Sequence, residues 1–292
     1  MRKQFILAVN DAFEVRKNLF LLLGDIGVFG FNQLLSKHSD RAINIGILEQ
    51  SMVGMVAGIS KAGFIPIVHS IAPFLVERAF EQIKLAVGYH NSNCRLISIG
   101  ASYDYVNLGP THHCPSDVAI LSTIPNLHII IPASANDFRI LFDKSLTLSA
   151  PIYFRLTDNA SKYQGIVEYG KCRILHKSIN KSELILSIGP MLDVAELMAK
   201  KLNITHLNCT TLNPFDSEEV HKHTDVGGKI HIIEPYYEGS SYMSIGKELV
   251  LYKLKFYGYI KKFQGECISW DSLLNLNNLT INKLIDKYNE QN

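Results

Sequence analysis

The sequence predicts an α/β protein built as two open α/β domains, and three observations carry this reading. Short apolar runs alternate with stretches of helical periodicity along the chain. The runs are continuously apolar, as befits parallel strands covered on both faces. A polar stretch, Asp158-Asn159-Ala160-Ser161-Lys162-Tyr163-Gln164-Gly165, interrupts the pattern and reads as a linker, and a second strand–helix series begins near residue 170. The domains are therefore expected at residues 1–162 and 163–292.

The first expected strand is Asn18-Leu19-Phe20-Leu21-Leu22-Leu23, stopped by Gly24-Asp25. Residues 46–62, rich in small side chains, read as one helix closed by Gly63. A strand at 65–70 and an amphipathic helix at 74–90 follow. Further strands are expected at 94–100, 127–131 and 152–156, with helices near 117–123 and 136–148 between them. In the second series the strands are expected at 184–190, 204–211 and 229–234, with a helix over Leu192–Leu202.

Composition narrows the function classes. The 292 residues are 47% apolar and 19% charged, enough for a sizeable core. A formal charge of +2 without a basic block argues against nucleic acid as a partner. No apolar run approaches a membrane span, and Met1-Arg2-Lys3-Gln4 does not open a signal peptide. Cys94, Cys114, Cys172, Cys209 and Cys267 are scattered, with no disulfide framework and no metal motif. A reduced, cytoplasmic protein is expected.

One carboxylate stands out. Glu49 lies in Asn44-Ile45-Gly46-Ile47-Leu48-Glu49-Gln50-Ser51-Met52-Val53-Gly54-Met55-Val56-Ala57-Gly58-Ile59, which holds no Lys or Arg. An unpaired, desolvated carboxylate favours its protonated form and can relay a proton. The plainer alternative is an acid in a first helical turn, favoured by the macrodipole.

Ligands of open α/β sheets bind beyond the carboxyl ends of the strands. Three loops fit that position: Gly24-Asp25-Ile26-Gly27, residues 69–74, and Asn107-Leu108-Gly109-Pro110-Thr111-His112-His113. The adjacent imidazoles of the last loop face different directions and belong either to a site or to an ordinary surface turn. His-His-Cys at consecutive positions cannot supply a tetrahedral metal set, so no metal ligands are expected here.

Taken together, these segments resemble the C-terminal half of transketolase, above all the separate C-terminal subunits of split transketolases. The resemblance rests on Arg41-Ala42-Ile43-Asn44-Ile45-Gly46-Ile47-Leu48-Glu49-Gln50, Ser70-Ile71-Ala72-Pro73-Phe74-Leu75 and Phe80-Glu81-Gln82-Ile83. Leu108-Gly109-Pro110-Thr111-His112-His113, Ile124-Pro125-Asn126-Leu127 and Ile131-Pro132-Ala133 continue it. Leu186-Ser187-Ile188-Gly189-Pro190 and Leu212-Asn213-Pro214-Phe215-Asp216 extend it, less specifically, into the second domain. The resemblance implies a pyrimidine-binding fold followed by a transketolase C-terminal-like domain, and thiamine diphosphate as cofactor.

It also implies roles. The residue matching Glu49 hydrogen-bonds N1′ of the aminopyrimidine and promotes the imino tautomer that deprotonates thiazolium C2. The aromatic matching Phe74 stacks on the aminopyrimidine, although the loop carries a one-residue insertion relative to deoxyxylulose phosphate synthases; its alternative is plain core. Asp25 matches an acid near the thiazolium ring, with a strand-end turn as the alternative. His112 matches the substrate-site histidine, and His113 is a second candidate donor to substrate.

The family's diphosphate half is absent from the sequence, since no Gly-Asp-Gly with a following metal-binding Asn occurs at suitable spacing. An N-terminal partner subunit is expected to supply it, with Mg2+ or Ca2+, in an α2β2 assembly that also needs self-association of this chain. Leu108 replaces the acid usual before Gly-Pro-Thr-His. Thr157 or Asp158, with Arg155 displaced, stands where the family has a phosphate-binding arginine, and Gly100 lies near its other phosphate contact. The expected activity is transfer of a two-carbon ketol unit from a ketose to an aldose-type acceptor, on sugars that need not be phosphorylated. The alternatives are the beta subunit of a 2-oxo acid dehydrogenase first component, a deoxyxylulose phosphate synthase and a non-catalytic assembly subunit.

Overall fold

The apolar runs form the strands of two sheets in the computed structural model, which describes residues 1–264 and 270–290. The chain opens with α1 (Arg2–Val15), β1 (Leu19–Leu23), α2 (Val28–Lys37), β2 (Ala42–Asn44), α3 (Glu49–Gly54), α4 (Val56–Lys61) and β3 (Ile65–Ile71). A π-helical turn (Pro73–Glu77), the short α5 (Phe80–Gln82) and a second π stretch (Ile83–Tyr89) lead to β4 (Arg95–Ile99). After α6 (Asp117–Leu121), β5 (His128–Ile130), α7 (Ala135–Ser145) and β6 (Ile152–Arg155) the first series ends. The second contains β7 (Cys172–His176), β8 (Glu183–Ile188), α8 (Leu192–Leu202), β9 (Thr205–Cys209), β10 (Thr211–Asn213) and α9 (Ser217–His223). It closes with β11 (Lys229–Tyr237), α10 (Tyr242–Ile245), β12 (Lys253–Tyr259), α11 (Trp270–Leu276) and α12 (Ile281–Glu290).

The first sheet runs β10-β5-β6-β4-β3-β1-β2 and the second β12-β11-β8-β9-β7. All neighbours are parallel except β10 on β5 and β7 on β9. Alternate residues of the first sheet feed two cores, as the two-residue repeat of a strand requires. Leu22, Val68, Leu96 and Tyr153 pack with Met52, Val53 and Val56 of α3 and α4 on one face. Leu21, Leu23, Ile67, Ile97 and Phe154 pack with Phe5 and Val9 of α1 and Phe138 of α7 on the other. Each such buried Leu or Phe contributes about 1.5–3 kcal/mol relative to exposure.

Three expectations change. The helix expected at 46–62 is two short helices meeting at Met55, in a segment weakened by Gly54 and Gly58. The amphipathic helix expected at 74–90 is largely π-helical, a form that absorbs an extra residue without ending the helix. The strand expected at 204–211 divides: β9 stays in the second sheet, while β10 crosses to the first and pairs Thr211 with Ile130. That crossing fastens the two sheets together. The Arg173 guanidinium adds to the joint, donating to both Asp137 oxygens at 2.9 and 2.7 Å, and the Ser161 hydroxyl donates to Asp193 at 2.7 Å.

Among the described residues no helix is long and apolar enough to cross a membrane. Cys94, Cys114, Cys172 and Cys209 are free thiols, and Cys267 lies outside the described residues.

Candidate active site

The adjacent parallel strands β6, β4, β3 and β1 send their carboxyl-end loops to one edge of the first sheet, where open α/β folds bind ligands. Glu49 begins α3 just beneath that edge, with its side chain 1% exposed. The Ser70 hydroxyl, from β3, donates to Glu49 Oε1 at 2.9 Å. The expectation of an unpaired carboxylate is corrected here: Arg78 Nη1 donates to Glu49 Oε2 at 2.7 Å. Arg78 lies 29 residues away, beyond the Pro73–Glu77 turn, so no local inspection of the Glu49 segment finds it. Its guanidinium lies 4.2 Å from the Phe74 ring centroid, a cation–π contact. Phe74 in turn meets His112 edge-on at 5.2 Å, so Glu49, Ser70, Arg78, Phe74 and His112 form one contiguous chain of contacts.

Gly24 completes the floor. A Cβ there would stand 3.3 Å from Met52 Cε and 3.5 Å from both Glu49 Oε1 and Ser70 Oγ. The next residue, Asp25, is exposed and left-handed at φ 60°. That conformation is costly for a residue other than glycine and is common at functional sites. Asn44 holds it: Asp25 N donates to Asn44 Oδ1 at 3.0 Å, and Asn44 Nδ2 donates back to Asp25 Oδ1 at 3.1 Å. Asn44 and Ser70 both lie in the quoted family stretches, but no role was expected for either.

The two histidines part company. His112 is half-buried between Phe74 and Tyr105, and its Nδ1 lies 3.0 Å from the Thr111 hydroxyl. His113 turns the other way, edge-on to Tyr103 at 4.9 Å. It lines a separate cleft of about 480 Å3 with Tyr103, Ser116, Tyr237 and Lys262. Burial pushes its pKa down, opposed by hydrogen bonds to the backbone of Tyr105 and Val106. The contacts at Glu49 and Phe74 thus include His112 and not His113.

The residues expected near a phosphate are engaged within the fold. Arg155 is buried in the sheet: its Nε donates to Asp117 Oδ2 at 2.8 Å, and its Nη2 donates to the Ser102 hydroxyl at 2.5 Å. Gly100, at φ +72°, leaves room for the Tyr105 ring, which any Cβ would strike. The loop after β6 is gathered onto Asp104. This carboxylate accepts hydrogen bonds from the Thr157 hydroxyl (2.7 Å), the Asp158 backbone (3.0 Å) and the Asn159 amide (2.9 Å). Burial raises the Asp104 pKa to about 6, against the pull of those three donors. Asp104 carried no sequence signal, because its partners lie more than fifty positions away.

Residues 1–162 match the family described as transketolase, pyrimidine binding domain. The chain belongs to that family. An uncharacterized 33.6 kDa protein in the fasciation locus of Rhodococcoides fascians is 29% identical over 84% of this chain and 79% of its own length. One of the subunits of apulose-4-phosphate transketolase from Actinobacillus succinogenes is 31% identical over 63% of this chain and 61% of its own length. Among solved structures, a split gene transketolase in an inactive beta4 tetramer superposes with TM-score 0.80 at 23% identity, over 98% of this chain and 95% of that one. Transketolase of Campylobacter jejuni gives TM-score 0.81 at 17% identity, over 99% of this chain but 46% of that one. These likenesses support the transketolase-type α/β fold.

The family implies thiamine diphosphate, and the residues fit one end of it. A buried carboxylate, an aromatic face at Phe74 and the bare Gly24 floor suit a flat, hydrogen-bonding aminopyrimidine. Among the described residues no group of three or more His, Cys, Asp or Glu could hold a metal ion.

Proposed function

We propose that this chain is the C-terminal subunit of a two-chain transketolase-like enzyme, with residues 1–162 as pyrimidine-binding domain and 163–292 as C-terminal domain. The observation that carries the reading is the chain of contacts through Glu49, Ser70, Arg78, Phe74 and His112 beside Gly24, which suits an aminopyrimidine. The likeness to under half of a single-chain transketolase, and to a relative named as one subunit of a transketolase, supports the same division. An N-terminal subunit supplies the diphosphate site and its Mg2+ or Ca2+. Ile47 and Leu48, 67% and 55% exposed beside Glu49, offer an apolar face for a second copy of this chain, consistent with an α2β2 assembly in the cytoplasm.

Bound thiamine diphosphate supplies a carbon nucleophile at thiazolium C2. Glu49 holds and exchanges the proton at N1′ of the aminopyrimidine, sheltered from water and fixed by Ser70. Phe74 orients the pyrimidine plane by stacking. Asp25, clamped by Asn44, would serve the thiazolium end of the bound cofactor. His112, held by Phe74 and Thr111, donates to the sugar oxygens. The product is a ketose extended by the transferred two-carbon unit.

The reading is tested by calorimetry and a ketol-transfer assay on this chain alone and with its N-terminal subunit. Cofactor binding and turnover are expected only for the pair. Micromolar thiamine diphosphate binding by this chain alone, with metal present, would overturn it.

A further inference from the structure

Arg78 makes two contacts at once, and both use surfaces that the proposed pyrimidine site needs. Its Nη1 donates to Glu49 Oε2 at 2.7 Å, while the Ser70 hydroxyl donates to Oε1. Its guanidinium also covers the Phe74 ring, 4.2 Å from the centroid. A guanidinium is planar and delocalised and carries N–H donors at its edge. In those respects it matches an aminopyrimidine: a flat face for the aromatic ring and an edge for the carboxylate. Arg78 follows directly on the Pro73–Glu77 turn that carries Phe74, so its long stem reaches both groups from one side. The side chain remains 41% exposed, and no other acid is within ion-pair distance of it among the described residues. Leaving toward solvent would cost it the Glu49 pair and the Phe74 face.

We infer that Arg78 is a placeholder: its guanidinium occupies the pyrimidine seat between Glu49 and Phe74 and must swing out before the cofactor loads. This rests on the reading of the site as a thiamine diphosphate site. The placeholder removes a physical difficulty of a two-chain enzyme. An empty seat would leave the Glu49 carboxylate desolvated and uncompensated, which is costly. Arg78 neutralises it until the partner and cofactor arrive. The cost appears in affinity, because a cofactor that binds only the open form has its apparent Kd weakened by the fraction of chains that are open.

The test is calorimetric titration of thiamine diphosphate, with Mg2+ held constant, into the pair reconstituted with wild-type chain or with Arg78→Met. Methionine keeps the length and removes the cation. With Arg78 closing the seat in most molecules, Arg78→Met is expected to tighten the cofactor Kd by about three- to tenfold. It is also expected to lower the melting temperature of the cofactor-free chain, which loses its neutralised Glu49. If Arg78→Met melts too low to titrate, Arg78→Gln takes its place with the same expected direction, since its amide lacks the flat cation. Unchanged or weakened cofactor affinity in a folded variant overturns the inference while leaving the site assignment intact. No cofactor binding by the wild-type pair overturns the site assignment, and the inference with it.

Discussion

The Thr157 hydroxyl donates to Asp104 Oδ1 at 2.7 Å, tying the loop after β6 to the loop after β4. With the exposed Asp158, this puts two carboxylates on the loops where the resemblance leads one to expect a phosphate contact. Arg155, the nearest arginine in sequence, is engaged by Asp117 inside the sheet and is out of reach.

Substrate charge follows from that corner. Like charges near contact distance cost on the order of a kcal/mol even at an effective dielectric near 20. The reconstituted pair is expected to favour a phosphorylated ketose over its free form by about tenfold or less in kcat/KM, or to prefer the free sugar. Asp104 ionises as pH rises through about 6, so the ratio of phosphorylated to free substrate should fall between pH 5 and pH 8. The phosphate loses its second proton over the same range, which acts in the same direction. A phosphate preference above about a thousandfold, roughly 4 kcal/mol in transition-state terms, would expose a strong phosphate site elsewhere.

Glu49→Gln keeps a hydrogen bond to Ser70 but removes the ion pair with Arg78 and the exchangeable acid. Cofactor affinity of the pair should stay within about tenfold, while turnover should fall by about two to four orders of magnitude. Exchange of the thiazolium C2 proton, followed by NMR, should slow in parallel. Exchange at the wild-type rate would reduce Glu49 to a helix-start residue.

Asp117→Asn probes the buried ion pair. Asp117 Oδ2 accepts from both Arg155 and Tyr153 at 2.8 Å, and neither Asp117 nor Arg155 reaches solvent appreciably. Removing one charge strands the other, at a cost of about 3–5 kcal/mol. Urea unfolding should show that loss in the midpoint with little change in slope. A loss below about 1 kcal/mol, far under the usual cost of stranding a buried charge, would mean that Arg155 is not structural and is free to serve the site.

Much of this fold was legible because buried parallel strands write themselves as unbroken apolar runs. Leu19–Leu23 and the Ile65–Val68 part of β3 are such runs, and the α8 helix Leu192–Leu202 is framed by Gly189-Pro190 and Asn203. Helix α1 was overlooked, although Phe5, Ala8, Val9, Ala12 and Phe13 recur at helical spacing and are all buried. Glu49, Phe74 and His112, each carried by one short motif, do lie in one chain of contacts. Arg78, Asp104 and Asn44 act through partners distant in sequence, and such pairings depend on strand order. The division of residues 204–213 was hidden for a related reason. An apolar run records burial and not the sheet in which it is buried.

Strand β10 has a last consequence. It is the outermost strand of the first sheet, yet it is contributed by the chain after residue 162, antiparallel to β5 through Thr211 and Asn213. A fragment ending at the interdomain stretch would present β5 as a bare row of amide and carbonyl groups, a template on which foreign strands add. The second half of the chain thus acts as an edge guard for the first. In the proposed two-chain enzyme, a pyrimidine-binding half separated at that point would lose the strand that covers its sheet edge.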